Sequence, residues 1–304
     1  MDLLAAIDVG SNSVKLCVAR VDGGRLVERH DRVRITRLAT ELRPGGRLRP
    51  DAAARTLDVL AELADEARAR GARRVLAAGT MALRLAGDAP AFLAEARRRA
   101  GLDIAVLTGD EEARLAWRAA ADAAPGAGPL LVVDAGGAST EFIRGEGGRP
   151  DAHRSEPVGV VALTEARLSA DLPRAADLAA AAADLAGALD FLPAFADPRP
   201  ASLVAVGGTA TTLAAVAQAL EPYDPARVQG FAVTRAELAR QAELYRSLPL
   251  AERRRLPGLM PERADVILAG ALLLDAVLAA LDLPELRVSD LGLRHALLLE
   301  AAAG

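Results

Sequence analysis

Two short stretches of this chain place an aspartate, small residues and hydroxyls in nearly the same order: Ile7-Asp8-Val9-Gly10-Ser11-Asn12-Ser13, and Val133-Asp134-Ala135-Gly136-Gly137-Ala138-Ser139-Thr140-Glu141. In both, the aspartate ends an aliphatic run and a second aliphatic run follows, so each reads as strand, tight turn, strand. Successive amides in such a turn form an anion-binding concavity, glycines allow a ligand to come close, and the aspartate can reach a metal riding on phosphate. Either turn alone is compatible with an ordinary hairpin, because Asp, Gly, Asn and Ser are common turn residues. The repetition favours a phosphate site, with Gly10, Ser11, Asn12 and Ser13 in one half and Gly136, Gly137, Ala138 and Ser139 in the other. Two such turns facing each other would clamp a phosphate chain. Glu141, on the strand leaving the second turn, could join Asp134 around a divalent cation, or be a solvated strand charge.

Three further places carry groups suited to phosphoryl chemistry. Asp110-Glu111-Glu112 opens a helix, where acids stabilise the helix dipole by about 0.3–1 kcal/mol each with no chemistry required. Glu112 differs only if the helix start faces the ligand, since phosphoryl transfer to water needs a carboxylate to position or deprotonate the nucleophile. Arg84 follows Ala78-Gly79-Thr80-Met81-Ala82-Leu83, just past a strand end where open α/β sheets bind ligands. A guanidinium there can hold phosphate oxygens bidentately, or simply be solvated. Gly207-Gly208-Thr209, between a strand and a helix, presents amides at a helix N-terminus or is only a tight connection. The segment Arg32 to Arg37 carries a positive stripe that suits a polyanion or protects an edge strand. His30, His153 and His295 lack metal-ligand spacing, and Cys17 lacks a partner, so neither a zinc site nor a thiol nucleophile is expected.

The elements that must position these groups follow from periodicity. Arg25 to Ile35 continues the first hairpin as a third strand after Asp22-Gly23-Gly24, and Gly145 to Gly148 follows the second hairpin, so the echo extends beyond the turns. Within Asp51 to Arg70, Leu57, Leu60, Leu63 and Ala67 recur at helical spacing, ended by Gly71. Arg74 to Ala78 reads as a strand, Pro90 to Ala100 as a helix, Ile104 to Leu107 as a strand and Glu111 to Ala121 as a helix. Ala123 to Pro129 is the candidate linker. Beyond the second hairpin, helices are expected at Ala175 to Leu192, Thr212 to Leu220, Glu262 to Leu281 and Leu293 to Ala303, with strands at Ser202 to Val206 and Leu286 to Ser289. Strands alternating with helices imply partly parallel sheets, hence two related α/β domains around a cleft, 1–122 and 123–292.

Bulk properties agree. The 304 residues suffice for two cores, and with aromatics at 3% those cores must be aliphatic. A formal charge of −4 argues against a general nucleic-acid coat, so a polyanion would be met by local positive potential. Lys15 is the sole lysine beside 36 arginines, which reads as codon bias. A lone cysteine suggests a reducing compartment. No targeting signal is visible, and the apolar run Ile267 to Leu283 is broken by Gly270, Asp275 and Asp282, so a cytoplasmic protein without a membrane anchor is expected.

In order along almost the whole chain, Ala6 to Ser13, Gly79-Thr80 through Arg84, Gly109-Asp110-Glu111-Glu112-Ala113-Arg114-Leu115, Asp134 to Glu141, Gly207-Gly208-Thr209 and Pro261-Glu262-Arg263-Ala264-Asp265 resemble the exopolyphosphatase and guanosine pentaphosphate phosphatase (Ppx/GppA) family, as does the ending Val288 to Arg294. The resemblance implies an actin-like, sugar-kinase and Hsp70 ATPase superfold, with 293–304 packing back on the first domain. It implies Glu112 as base for the attacking water, Arg84 on phosphate, Asp134 and Glu141 on Mg²⁺ or Mn²⁺ with Asp8 in support, and the glycine turns on phosphate oxygens. The implied substrate is inorganic polyphosphate or guanosine pentaphosphate, and a homodimer is implied as well. A kinase of the same superfold and a non-catalytic sensor of polyphosphate or alarmone are the rival readings. One departure bears on the sensor: the family has a third glycine where this chain has Ala138, and if that position needs positive φ, alanine costs about 1 kcal/mol or more.

Overall fold

The computed structural model describes residues 2–303 except 121, 122, 125, 127 and 148, so the expected boundary at 122, the end of the helix expected to reach Ala121, and parts of the Ala123 to Pro129 linker and the Gly145 to Gly148 turn lie outside the described residues. There are two compact units, one holding the residues up to Leu115 and those from Gly292 onward, the other Ala116–Leu291. In the first, β1 (Leu4–Val9), β2 (Ser13–Asp22) and β3 (Arg25–Ile35) are followed by α1 (Pro50–Ala69), β4 (Arg74–Gly79), α2 (Met81–Leu85), α3 (Ala89–Ala100), β5 (Ile104–Val106) and α4 (Gly109–Ala120). The division between units thus falls inside α4. The second unit carries β6 (Leu130–Ala135), β7 (Thr140–Glu146), β8 (Arg149–Glu156), α5 (Val160–Arg167), α6 (Ala175–Ala188), α7 (Leu192–Phe195), β9 (Ser202–Val206), α8 (Gly207–Ala217), α9 (Pro225–Val228), β10 (Ala232–Thr234), α10 (Arg235–Ser247), α11 (Leu250–Arg253), α12 (Ile267–Ala280) and β11 (Glu285–Val288). The closing helix α13 (Leu293–Ala301) belongs to the first unit.

The duplication is built into the sheets. The first has the order β3-β2-β1-β4-β5, and the second β10-β11-β9-β6-β7-β8. Without the extra edge strand β10, the second reads β8-β7-β6-β9-β11, the same path. In each, the first strand is antiparallel to its hairpin partner and parallel to the strand that returns after a helical crossover. The aspartates therefore occupy equivalent places, each next to last in the central strand.

Strand alternation sorts the first unit's residues onto two faces. Ala5, Ile7, Val9, Val14, Leu16 and Val18 cluster with Leu57, Leu60 and Leu63 of α1. Leu60 and Leu63 are fully buried, which contributes roughly 1.5–3 kcal/mol for each side chain. On the other face Ala6, Cys17 and Ala19 meet Leu298 of α13. Pro50 starts α1 with a preset φ, and Gly71, at φ +87°, follows its C-cap Arg70.

Three expectations are corrected. The helix expected from Thr212 begins already at Gly207, so the glycine pair lies in the first turn of α8. The helix expected over Ala175 to Leu192 stops at Ala188, and Pro193, which has no amide to donate, sits in the first turn of a separate α7. The single long helix over Glu262 to Leu281 is a 3-10 turn at Pro261–Arg263 followed by α12. There the amides of Ala264 and Val266 bond three residues back, and α-type bonding starts with Gly270 on Val266. Helices α5 and α10 have no counterpart among the expectations. Between them, the stretch Ala175–Phe195 is long and apolar enough to cross a membrane by length and composition. Its Ala181, Leu185, Leu189 and Leu192 lie in the second unit's core.

Candidate functional site

In the first unit, Val9 pairs with Gly79 and Gly79 with Val106, so the turn after β1, helix α2 after β4 and helix α4 after β5 all leave one sheet edge, the carboxyl ends of parallel strands. Gly79 lets α2 fold tightly over its strand, because a Cβ there would lie 2.4 Å from Leu83 Cδ1. The next turn carries Arg84, whose guanidinium donates to Leu107 O at 2.9 Å and to Glu112 Oε2 at 2.7 Å. The helix start is divided between two roles. Glu111 accepts from the Thr108 amide and hydroxyl while Thr108 Oγ accepts from the Glu111 amide, a reciprocal cap. Those bonds from Thr108 hold the Glu111 carboxyl below its ordinary pKa. Glu112 is turned instead toward Arg84, with both side chains only partly exposed.

The Asp8 turn is braced by carbonyls. Ser11 O accepts from the Ala39 amide and Asn12 O from the amides of Thr36 and Arg37, while the Gly10 amide closes on Ser13 O at 3.0 Å. Among the described residues no protein acceptor takes the amides of Ser11 and Asn12. Asp8 itself is buried and sits 3.1 Å from Lys15 Nζ, its register partner on β2. Its charge is met here by that lysine ammonium.

The second turn repeats the bracing. Gly136 O accepts from the Val160 amide, and Gly137 O from those of Val161 and Ala162, all in the first turn of α5. Gly159 makes this fit possible, because a Cβ on it would lie 2.4 Å from Gly137 O. With the carbonyls tied back, the amides of Gly137 and Ala138 have no protein acceptor among the described residues. Neither Gly136, Gly137 nor Ala138 has positive φ. Gly136 is needed for space, a Cβ there lying 2.8 Å from Ser139 O, whereas Ala138 carries its methyl on ordinary backbone. The strain attached to the missing third glycine is therefore absent.

Asp134 faces Glu141 across β6 and β7. Glu141 Oε1 accepts from Ser139 Oγ at 2.6 Å and Ser155 Oγ at 2.9 Å. Two opposed carboxylates are hard oxygen donors that match Mg²⁺ or Mn²⁺, so the residues fit the implied cation. Gly207, at φ +83°, leaves room for Asp134, whose Oδ1 would lie 2.5 Å from a Cβ at that position. Gly208 is covered by the Arg263 guanidinium, whose NH2 nitrogen would lie 2.0 Å from a Gly208 Cβ. Burial pulls the Arg263 pKa down and Asp134 pulls it up. The buried hydroxyl of Thr209 donates to Ala135 O at 3.0 Å and pins α8 to β6. Lys15 and Arg263 are the residues sequence reasoning passed over. The first stood out as the sole lysine, and the second lay inside a quoted motif.

Cys17, Asp31 and His295 bring three metal-type ligand atoms within 4.8 Å of one another. His295 Nδ1 accepts from the Gly292 amide at 2.9 Å, so Nε2 carries the proton and donates to Asp31 Oδ1 at 3.0 Å. No lone pair on that ring is left for a metal. Arg294 and Arg29 also pair with Asp31. Burial raises the Asp31 carboxyl pKa, but the His295 bond and Arg294 outweigh it and hold the group well below its ordinary range. Burial pushes the Cys17 thiol well above its ordinary value. The group fastens α13 to the sheet. On the edge strand β3, Arg32 pairs with Glu66 and Arg34 with Glu62, so that part of the expected polyanion stripe is neutralised.

Comparison with known proteins places this geometry. The profile of the Ppx/GppA phosphatase family matches residues 17–303. Exopolyphosphatase 2 of Mycobacterium tuberculosis is 34% identical over 286 residues, covering 90% of this chain and 88% of that protein. The guanosine-5'-triphosphate,3'-diphosphate pyrophosphatase of Photobacterium profundum is 31% identical over 299 residues, covering 98% of this chain, which spans 59% of that relative's length. A crystal structure of the Aquifex aeolicus Ppx/GppA family member superimposes with a TM-score of 0.84 at 34% identity, covering 99% of this chain and 98% of that one. With its two related α/β units, the chain belongs to the Ppx/GppA phosphatase family and is a phosphoric anhydride hydrolase.

Proposed function

We propose that the chain removes terminal phosphate from inorganic polyphosphate, with Glu112 activating the attacking water. The Arg84 and Glu112 contact at 2.7 Å carries this reading. A carboxylate held by a guanidinium at the carboxyl edge of a parallel sheet can accept a proton from water while the arginine's other nitrogens reach phosphoryl oxygens. Each unit offers a turn whose amides can hold phosphate oxygens, Ser11 and Asn12 in the first and Gly137 and Ala138 in the second. Asp134 and Glu141 would hold Mg²⁺ or Mn²⁺, which when bound neutralises charge on the phosphate oxygens. Glu112 then takes the proton as the water oxygen meets phosphorus and the shortened chain leaves.

Polyphosphate is placed first because the exopolyphosphatase relative is 34% identical to this chain, against 31% for the pyrophosphatase. Ala138, the ground for a sensor without activity, gives no support to that rival on unstrained backbone. The test is phosphate release from short polyphosphate, long polyphosphate and guanosine pentaphosphate, run in parallel with Mg²⁺ and with Mn²⁺. Highest kcat/KM on a polyphosphate supports the proposal. Highest kcat/KM on the nucleotide reverses the substrate, and ATP-dependent phosphorylation of a small acceptor overturns the reaction class.

A further inference from the structure

Helix α4 is held from two sides. Glu112 and Arg114 lie two residues apart on it, a spacing that puts side chains on nearly opposite sides of a helix. On one side Glu112 takes the Arg84 guanidinium at 2.7 Å. On the other, Arg114 reaches α13 and donates to both oxygens of Glu300, Nη1 to Oε1 and Nη2 to Oε2, the second bond at 3.1 Å. All four residues belong to the first unit.

Glu300 is not where local physics would place an acid. It sits in the last turn of α13, where the helix dipole favours a basic side chain and disfavours a carboxylate. A chain with 36 arginines puts none in that turn. The distant partner accounts for the glutamate, because a two-pronged contact is the strongest that a guanidinium and a carboxylate make. The helix that carries it is anchored as well. Arg294 and His295, in its first turn, bond to Asp31 of β3, and Leu298 packs on Ala6, Cys17 and Ala19. Without Glu300, Arg114 has another acid to turn to. Glu111 lies three residues before it on the same helix, and after the bonds from Thr108 the charge of Arg114 also lowers the Glu111 pKa. Glu111 caps α4 through Thr108, so an arginine drawn to it competes with the cap one residue from Glu112.

We propose that Glu300 is a positioning residue for the reaction: through Arg114 it sets the rotation of the first turns of α4 and keeps Glu112 on Arg84. The inference rests on Glu112 as the base that activates water. It gives the closing helix a part in turnover, exerted through α4.

The test pairs kinetics with amide hydrogen exchange in Glu300→Ala and Glu300→Gln. On polyphosphate, Glu300→Ala should lower kcat by about three- to tenfold with KM unchanged. Glu300→Gln can still accept one of the two bonds and should recover part of the loss. In a Glu112→Gln background Glu300→Ala should cost nothing further, because the group being positioned is gone. Exchange should quicken in Glu300→Ala at Glu112, whose amide donates to Thr108 O, while α1 exchanges as in wild type. An unchanged kcat, equal falls in both backgrounds, or wild-type exchange at Glu112 would each overturn the proposal. The base assignment is read separately: Glu112→Gln turning over at the wild-type rate sinks it, and exchange at α4 then still decides whether Glu300 holds the helix.

Discussion

Replacing Ala138 with glycine tests the account of the second turn, because two lines of reasoning give opposite signs. If the position required positive φ, glycine would relieve strain and stabilise the protein by about 1 kcal/mol or more. The structure places Ala138 outside the positive-φ residues, with its methyl exposed, so no strain exists to relieve and no buried contact is lost. What remains is the freedom glycine adds to the unfolded chain, a loss of roughly 0.4–1 kcal/mol for Ala138→Gly. At an m value near 2 kcal/mol/M, the urea midpoint should fall by about 0.2–0.5 M with m unchanged. KM for the phosphate substrate should be unaltered, because the amide directions are set by carbonyls tied to α5. A midpoint that rises by a comparable amount would refute the assigned backbone and reinstate the imperfect turn.

Two other perturbations probe the frame. Gly207→Ala combines a residue at φ +83° with a Cβ 2.5 Å from Asp134 Oδ1, so a loss of about 1–2 kcal/mol or more in denaturant unfolding is expected together with weaker Mn²⁺ binding; unchanged values of both would contradict the packing. His295 is wholly buried, and burial with Arg294 nearby lowers its pKa from 6.5 to about 4. In this case the unfolded chain takes up a proton that the fold refuses, so stability is full above pH 6.5 and falls as pH drops toward 4, by up to about 3 kcal/mol. Urea unfolding across that range checks it, and His295→Gln should flatten the dependence; a stability that rises on acidification would contradict the neutral ring.

The parts of the molecule legible in sequence were those decided locally. Asp8 and Asp134 each close an aliphatic strand before small residues, which is enough to specify strand, turn and strand, and α1 announced itself by its apolar spacing. Glu111 was readable as a cap for the same reason, since Thr108 lies three residues away. What escaped was decided by partners distant along the chain. Gly207 and Gly208 looked like loop residues, yet their freedom from side chains serves Asp134 and Arg263, which neighbour them only in the folded unit. The helix expected to start at Glu262 breaks after Arg263, whose guanidinium lies over Gly208. Lys15 looked like compositional noise because its meaning lies in strand register, and register pairs it with an aspartate seven positions back.

The central claim is that a carboxylate on α4 activates water, and Glu112→Gln tests it most directly. The amide keeps the size and can still accept from Arg84, so binding of a phosphate chain should persist. Loss of a general base corresponds to a fall of about 10²–10⁴ in kcat, equal to roughly 3–5 kcal/mol of transition-state stabilisation. Phosphate release from polyphosphate under single-turnover conditions, beside a binding measurement on the same variant, should show that fall with affinity retained. Release at the wild-type rate would contradict the mechanism.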